Sequence, residues 1–144
     1  MLNANQCLSI IELFKNGIYI DNSITKQWKY IIDEEWVYEW VASHHEKYEL
    51  VGKIIGFKYQ VGDYLDWHKD NQYNRNITMT GGIVLNSDYE GGLFEFDDGS
   101  ILDQTPGKSF EMSRNILHRV TEVTKGTRYS LHYKLNFKNK NSLI

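Results

Sequence analysis

Residues 59–70 read YQVGDYLDWHKD, and the triplet His68-Lys69-Asp70 at the end of this stretch decides how the rest of the chain is read. In an extended strand successive side chains point to opposite faces, so His68 and Asp70 project together while Trp67 and Lys69 point away. One imidazole and one carboxylate then share a face. A lone His-x-Asp triplet usually marks a solvated strand. A second imidazole brought in from a distant strand would turn it into a three-donor metal site with the remaining positions open. Downstream of Asp70 only His118 and His132 can supply that ring.

The surrounding chain sets limits on what such a site could serve. At 144 residues it is long enough for one domain with a real core and too short for two ordinary ones. We expect a single domain, with a helical N-terminal buttress over 1–49 and a β core over 50–144. The net charge of −3 and pI of about 5.9 provide no overall basic field, which disfavours nucleic acid as a partner. Cys7 is the only cysteine, so an intramolecular disulfide and a Cys-based zinc site are excluded. The N-terminal residues lack a basic region before their short apolar run, and no stretch approaches membrane-spanning length, so the expected location is the cytoplasm.

Along the N-terminal third, Cys7, Ile10, Ile11 and Phe14 fall at i, i+3, i+4 and i+7, which predicts a helix over 5–16 stopped at Gly17. A second helix is predicted from Asp33 to Tyr48, with acids at its start and Lys47 and two histidines at its end. Its buried stripe is expected to be Val37, Trp40, Val41, His44 and Tyr48. The tandem His44-His45 is a poor chelator, because neighbours on a helix point about 100° apart, and both are read as surface or helix-end residues. From Leu50 onward β-branched and aromatic residues are broken by Gly, Asn and Asp. This predicts strands near 51–60, 64–69, 76–86, 92–97, 100–103, 107–112, 116–123 and 127–137, the pattern of a two-sheet jelly roll. Paired Gly91-Gly92 marks a bend where backbone passes close to another strand.

The order Tyr59-x-x-Gly62, His68-x-Asp70, Leu85-Asn86, Gly91-Gly92, Phe110, His118-x-Val120 and Gly126-Thr127-Arg128-Tyr129-Ser130 resembles the prolyl 4-hydroxylase-like branch of the Fe(II)/2-oxoglutarate-dependent dioxygenase superfamily. The resemblance covers nearly everything after residue 55. It implies a mainly β, cupin-like double-stranded β-helix (jelly roll) with N-terminal helices. It also implies that His68, Asp70 and His118 are the metal ligands and that His132 is structural. Arg128 matches the cation that meets the far carboxylate of 2-oxoglutarate, a role suited to a planar guanidinium fork. Ser130 shares the strand face of Arg128 and could add a hydroxyl bond. Tyr59 matches a tyrosine lining the co-substrate pocket. Val84 stands where some relatives carry a second tyrosine, which leaves Thr80 or Thr78 to supply the missing donor.

By this resemblance the cofactors are Fe(II), 2-oxoglutarate as co-substrate and dioxygen, with ascorbate as a candidate reductant. The activity implied is hydroxylation of a C–H bond, foremost in a peptidyl prolyl residue. Alternatives are hydroxylation of a free amino acid or small metabolite, and a non-catalytic metal-binding jelly roll. A nucleic-acid demethylase of the AlkB type is disfavoured because Lys134 stands where its second arginine is expected. A halogenase is disfavoured because Asp70 occupies the halide position. The substrate is therefore expected to be a peptide, protein or small molecule, with no membrane partner.

Overall fold

The local patterns become elements whose ends have visible causes. In the computed structural model, which describes residues 1–14, 28–70 and 78–138, α1 spans Ala4–Leu13. Asn3 opens it with a capping box: the Asn3 side chain accepts from the Gln6 N–H (2.8 Å), and the Gln6 side chain accepts from the Asn3 N–H (2.9 Å). Cys7, Ile10 and Phe14 are buried, as the spacing predicts. The stop expected at Gly17 lies outside the described residues. The second helix, α2, spans Glu35–His44 and buries Val37 and Val41.

The strands are β1 Trp28–Ile31, β2 Tyr48–Tyr59, β3 Leu65–His68, β4 Met79–Val84, β5 Tyr89–Gly91, β6 Phe94–Phe96, β7 Ser109–Ser113, β8 His118–Val120, β9 Val123–Gly126 and β10 Arg128–Phe137. Five form one sheet in the order β1-β2-β10-β4-β7, three form a second in the order β3-β8-β6, and β5 pairs with β9. Every pairing among the described residues is antiparallel. This is a jelly-roll double-stranded β-helix, with few helices.

Several expectations need correction. The region before residue 50 is not wholly helical: β1 extends the large sheet beside β2, where Tyr30 and Ile32 enter the core. The strand expected over 92–97 is β6, shortened to Phe94–Phe96, and a strand not expected, β5, precedes it, with Gly91 and Gly92 at positive φ where the chain passes from one to the other. A Cβ on Gly91 would lie 2.1 Å from the Glu122 carbonyl oxygen, so only glycine fits this close passage. Residues 100–103 contribute one isolated bridge, Glu95 to Ile101, rather than a strand. The stretch 116–123 divides into β8 and the start of β9. The expected strand start at residues 76 and 77 lies outside the described residues.

Strand alternation separates two apolar clusters. One face of the large sheet gives Ile54, Ile83, Leu131, Tyr133 and Leu135 to a core closed by α1 and α2. Phe14 seals it against Gly56, where an added Cβ would meet its ring at 2.5 Å. The other cluster gathers Tyr59, Leu65, Phe94, Met112, Val120 and Val123 between the sheets.

The tandem histidines also part company. His44 is exposed, not part of the buried stripe, and stacks on Trp40 with ring centroids 3.6 Å apart. His45 is not a surface residue: the chain turns at the helix C-cap and buries its ring. His45 Nδ1–H donates to Glu111 Oε2 (2.8 Å), since a carboxylate only accepts, and in the neutral ring Nε2 accepts from the Tyr133 hydroxyl (2.6 Å). Among the described residues no helix is long and apolar enough to cross a membrane.

Candidate functional site

The register of β3 against β8 sets His68 directly opposite His118. Opposed side chains in an antiparallel pair leave the same face, so the two rings meet with centroids 4.1 Å apart. Asp70 lies just past β3, where its N–H donates to the Arg114 carbonyl (3.0 Å). Its Oδ1 is 3.2 Å from His68 Nε2 and its Oδ2 is 3.5 Å from His118 Nε2. One ligand atom from each of the three residues lies within 4.8 Å of the others, the one such cluster of His, Cys, Asp or Glu among the described residues.

Backbone carbonyls fix both rings. His68 Nδ1 faces the Asp66 carbonyl at 2.7 Å and His118 Nδ1 faces the Ile116 carbonyl at 2.8 Å. A carbonyl only accepts, so each Nδ1 carries its proton and each Nε2 is turned toward Asp70. Two imidazole lone pairs aimed at an anionic carboxylate repel it unless a proton or a cation lies between them. The three residues therefore suit a divalent cation bound by borderline nitrogen and hard oxygen donors. His118 is further held by stacking on Phe94 at 5.0 Å and 8°.

The charges respond to this arrangement. Burial alone would raise the Asp70 carboxyl, but the His68 hydrogen bond and the two nearby imidazoles outweigh it and lower its pKa. Burial pulls His68 down, yet the Asp70 and Asp66 hydrogen bonds leave it raised overall. Burial dominates at His118, with the Asp70 carboxylate opposing it, and lowers that ring.

A second group of polar residues lines the large sheet. Arg128 on β10 pairs in register with Tyr59 on β2 and is 0 % exposed. Its guanidinium lies 5.1 Å from the centre of the Tyr59 ring. Nε and Nη2 donate to Gln104 Oε1 (3.3 and 2.9 Å), and Nη1 donates to Ser130 Oγ (3.2 Å). Among the described residues no carboxylate pairs with it. A buried cation without a counter-ion is costly to keep, so this one invites an anion.

Two buried oxygens nearby also have no hydrogen-bond partner among the described residues: Tyr59 Oη and Thr80 Oγ1. Burial pushes the Tyr59 hydroxyl well up and keeps it neutral, with Arg128 the strongest opposing influence. Among the described residues Thr80 has no partner at hydrogen-bonding distance, so its effect on Asp70 is that of a nearby hydroxyl dipole rather than a formed bond. Thr78 is already engaged with the Asn136 side chain, which separates the two threonines the sequence leaves equivalent. Val84 is buried opposite Ser130 and offers no polar atom.

His132 lies apart from the three clustered donors. Its Nε2 meets Ser130 Oγ at 3.2 Å, and its ring packs near Phe57 (4.4 Å) and Phe110 (6.4 Å). Burial, reinforced by positive Arg128, lowers its pKa to about 3, so the ring is neutral. Trp67 is 39 % exposed and stacks under Arg119 at 4.6 Å, while Lys69 is exposed.

No protein-family model and no curated protein sequence matches the chain. Solved structures do. A Pseudomonas putida prolyl-4-hydroxylase superposes with TM-score 0.75 at 15% identity, covering 96% of this chain and 89% of that one. An oxidoreductase of the 2OG-Fe(II) oxygenase family from Burkholderia pseudomallei gives TM-score 0.73 at 14% identity, covering 96% and 82%. This chain shares the jelly-roll fold of these two structures. A Trichoplax adhaerens prolyl hydroxylase in complex with a hypoxia inducible factor oxygen degradation domain peptide fragment shares that fold at TM-score 0.76 and 17% identity, covering 97% and 80%.

Within this fold one polar contact of the site escapes sequence reading. Gln104 lies in the loop between β6 and β7, 24 residues from Arg128, and no periodicity links the two. The carbonyls of Asp66 and Ile116 escape it as well, because backbone acceptors leave no mark in side-chain pattern.

Proposed function

We propose that the chain is an Fe(II)- and 2-oxoglutarate-dependent dioxygenase that hydroxylates a C–H bond, in a peptidyl prolyl residue. The observation that carries the reading is Arg128, a fully buried cation with no carboxylate partner among the described residues, in the same interior as the His68, Asp70 and His118 cluster. When bound, iron and its keto-acid co-substrate supply oxidative chemistry that no side chain here possesses. His68, Asp70 and His118 would hold the iron from one side and leave its other side open. Arg128 would take the far carboxylate of the co-substrate, with hydroxyl support from Ser130, Tyr59 and Thr80.

The protein's remaining work is orientation and exclusion. Asp66 and Ile116 carbonyls hold the ligand rings, Phe94 fixes the His118 plane, and the apolar cluster between the sheets keeps water from the far end of the site. The peptide reading is supported by likeness to a prolyl hydroxylase solved with a peptide fragment. The whole of 1–144 is read as one domain serving this site.

The test is anaerobic titration with Fe(II) and 2-oxoglutarate, followed visibly by the charge-transfer band of the chelate, then admission of air and a succinate assay. A band followed by succinate, accelerated by proline-containing peptides, is the expected result. A folded protein giving neither band nor succinate would leave a metal-binding jelly roll without turnover.

A further inference from the structure

The guanidinium of Arg128 has five N–H groups, and the fold engages three of them. Gln104 Oε1 takes Nε–H and one Nη2–H, and Ser130 Oγ takes one Nη1–H. One N–H on each Nη nitrogen is left without a partner among the described residues. The residue on the Nε side is an amide, whereas a glutamate of the same length would neutralise the cation.

Gln104 is delivered to this position by a loop with several anchors. Asp103 Oδ1 accepts from the Thr105 N–H (3.1 Å) and hydroxyl (2.6 Å), and its Oδ2 accepts from Lys108 Nζ (2.6 Å). The Gly107 N–H donates to the Val84 carbonyl (2.9 Å), and the Leu2 N–H donates to the Gly107 carbonyl (2.9 Å). A Cβ on Gly107 would lie 2.2 Å from the Leu2 carbonyl oxygen, so this anchor depends on glycine. Val84 is the register partner of Ser130, which ties the loop to the strand row beside Arg128.

We infer that Gln104 is the positioning residue for the carboxylate-binding arginine: its amide oxygen locks one edge of the fork while leaving the positive charge uncompensated for the co-substrate. This rests on the function proposed above and goes beyond it, since it assigns co-substrate affinity to a loop residue outside the sheet. The neutral amide separates two roles that a carboxylate would merge, holding the cation and cancelling it.

The experiment uses the full chain with Mn(II), under anaerobic conditions, and measures 2-oxoglutarate and metal binding by calorimetry together with thermal unfolding. Gln104→Glu should weaken 2-oxoglutarate by about 100-fold or more, because an internal carboxylate takes the fork. In the same variant Mn(II) affinity should stay within about threefold and the unfolding temperature should hold or rise. Gln104→Ala should weaken 2-oxoglutarate by about tenfold through loss of the two edge bonds, with Mn(II) affinity again within about threefold. A merely structural residue would lose stability and affinity together. Wild-type affinity in Gln104→Glu, or tighter binding in Gln104→Ala, would overturn the inference, the latter by making Gln104 a plug in the co-substrate position. A wild-type protein that binds Mn(II) but no 2-oxoglutarate would instead overturn the proposed function itself.

Discussion

Arg128→Met is the perturbation that most directly tests why this cation is kept. Methionine retains an unbranched apolar stem and removes the charge. The wild-type guanidinium makes three hydrogen bonds to neutral oxygens and has no carboxylate partner among the described residues. An uncompensated buried ion costs several kcal/mol, part of which Met recovers. Against that stand the lost bonds, softened because Gln104 is half-buried and can hydrate, and because Ser130 keeps His132. The balance is a gain of about 1–3 kcal/mol for the ligand-free protein, or a Tm rise of roughly 3–10 °C by calorimetry. Binding moves the other way. Two charge-assisted bonds from the free N–H groups are worth about 3–6 kcal/mol, so 2-oxoglutarate should weaken by about 10²–10⁴-fold. A lower Tm together with unchanged co-substrate affinity would refute the reasoning, for it would mean that the fold already compensates Arg128 and that nothing else uses it.

Other residues give independent tests. Asp70→Ala should reduce Mn(II) affinity by at least about 100-fold while far-UV circular dichroism stays native, because it removes the only carboxylate of the cluster; undiminished metal binding would sink the metal assignment. Gly81→Ala places a Cβ 2.2 Å from the Tyr133 ring, whose hydroxyl is held by His45, and should destabilise by about 2–4 kcal/mol in denaturant unfolding. Smaller Tyr133→Leu in the same chain should recover part of that loss. The folded pKa of His132, about 3, lies below its unfolded value, so the unfolded state binds the extra proton and stability falls as the pH drops from about 6.5 toward 3. The slope is up to about 1.4 kcal/mol per pH unit, and His132→Gln should flatten the curve in that window relative to wild type.

How much was legible in advance differs between neighbouring residues. His68 and Asp70 share a face because strand periodicity requires it, and Arg128 with Ser130 follow the same rule. The two helices were readable from 3.6-residue spacing, though their ends shifted by one to four residues and β1 between them was missed. Short strands such as β1, β5 and β9 carry three or four residues each, too few for alternation to stand out from its surroundings. His45 stands at the helix end as read, but its burial was not legible, because a helix-end residue is buried or exposed according to the turn that follows it, and that turn answers to a tertiary partner, Tyr133.

The sequence by itself determined faces: which side chains can leave a strand together, where charge is scarce, and that one cysteine excludes an intramolecular disulfide. Only the tertiary structure decided partners. Residue spacing left His118 and His132 both open as the second imidazole, and the register of β3 against β8 brings His118 across from His68 while β10 packs His132 against Phe57 and Phe110. It likewise engaged Thr78, left Thr80 without a partner among the described residues, and carried Gln104 to Arg128. The reason is that alternation fixes the direction of a side chain within its own element, whereas the atom it meets depends on cross-strand register and loop path, which are set by the packing of the whole chain.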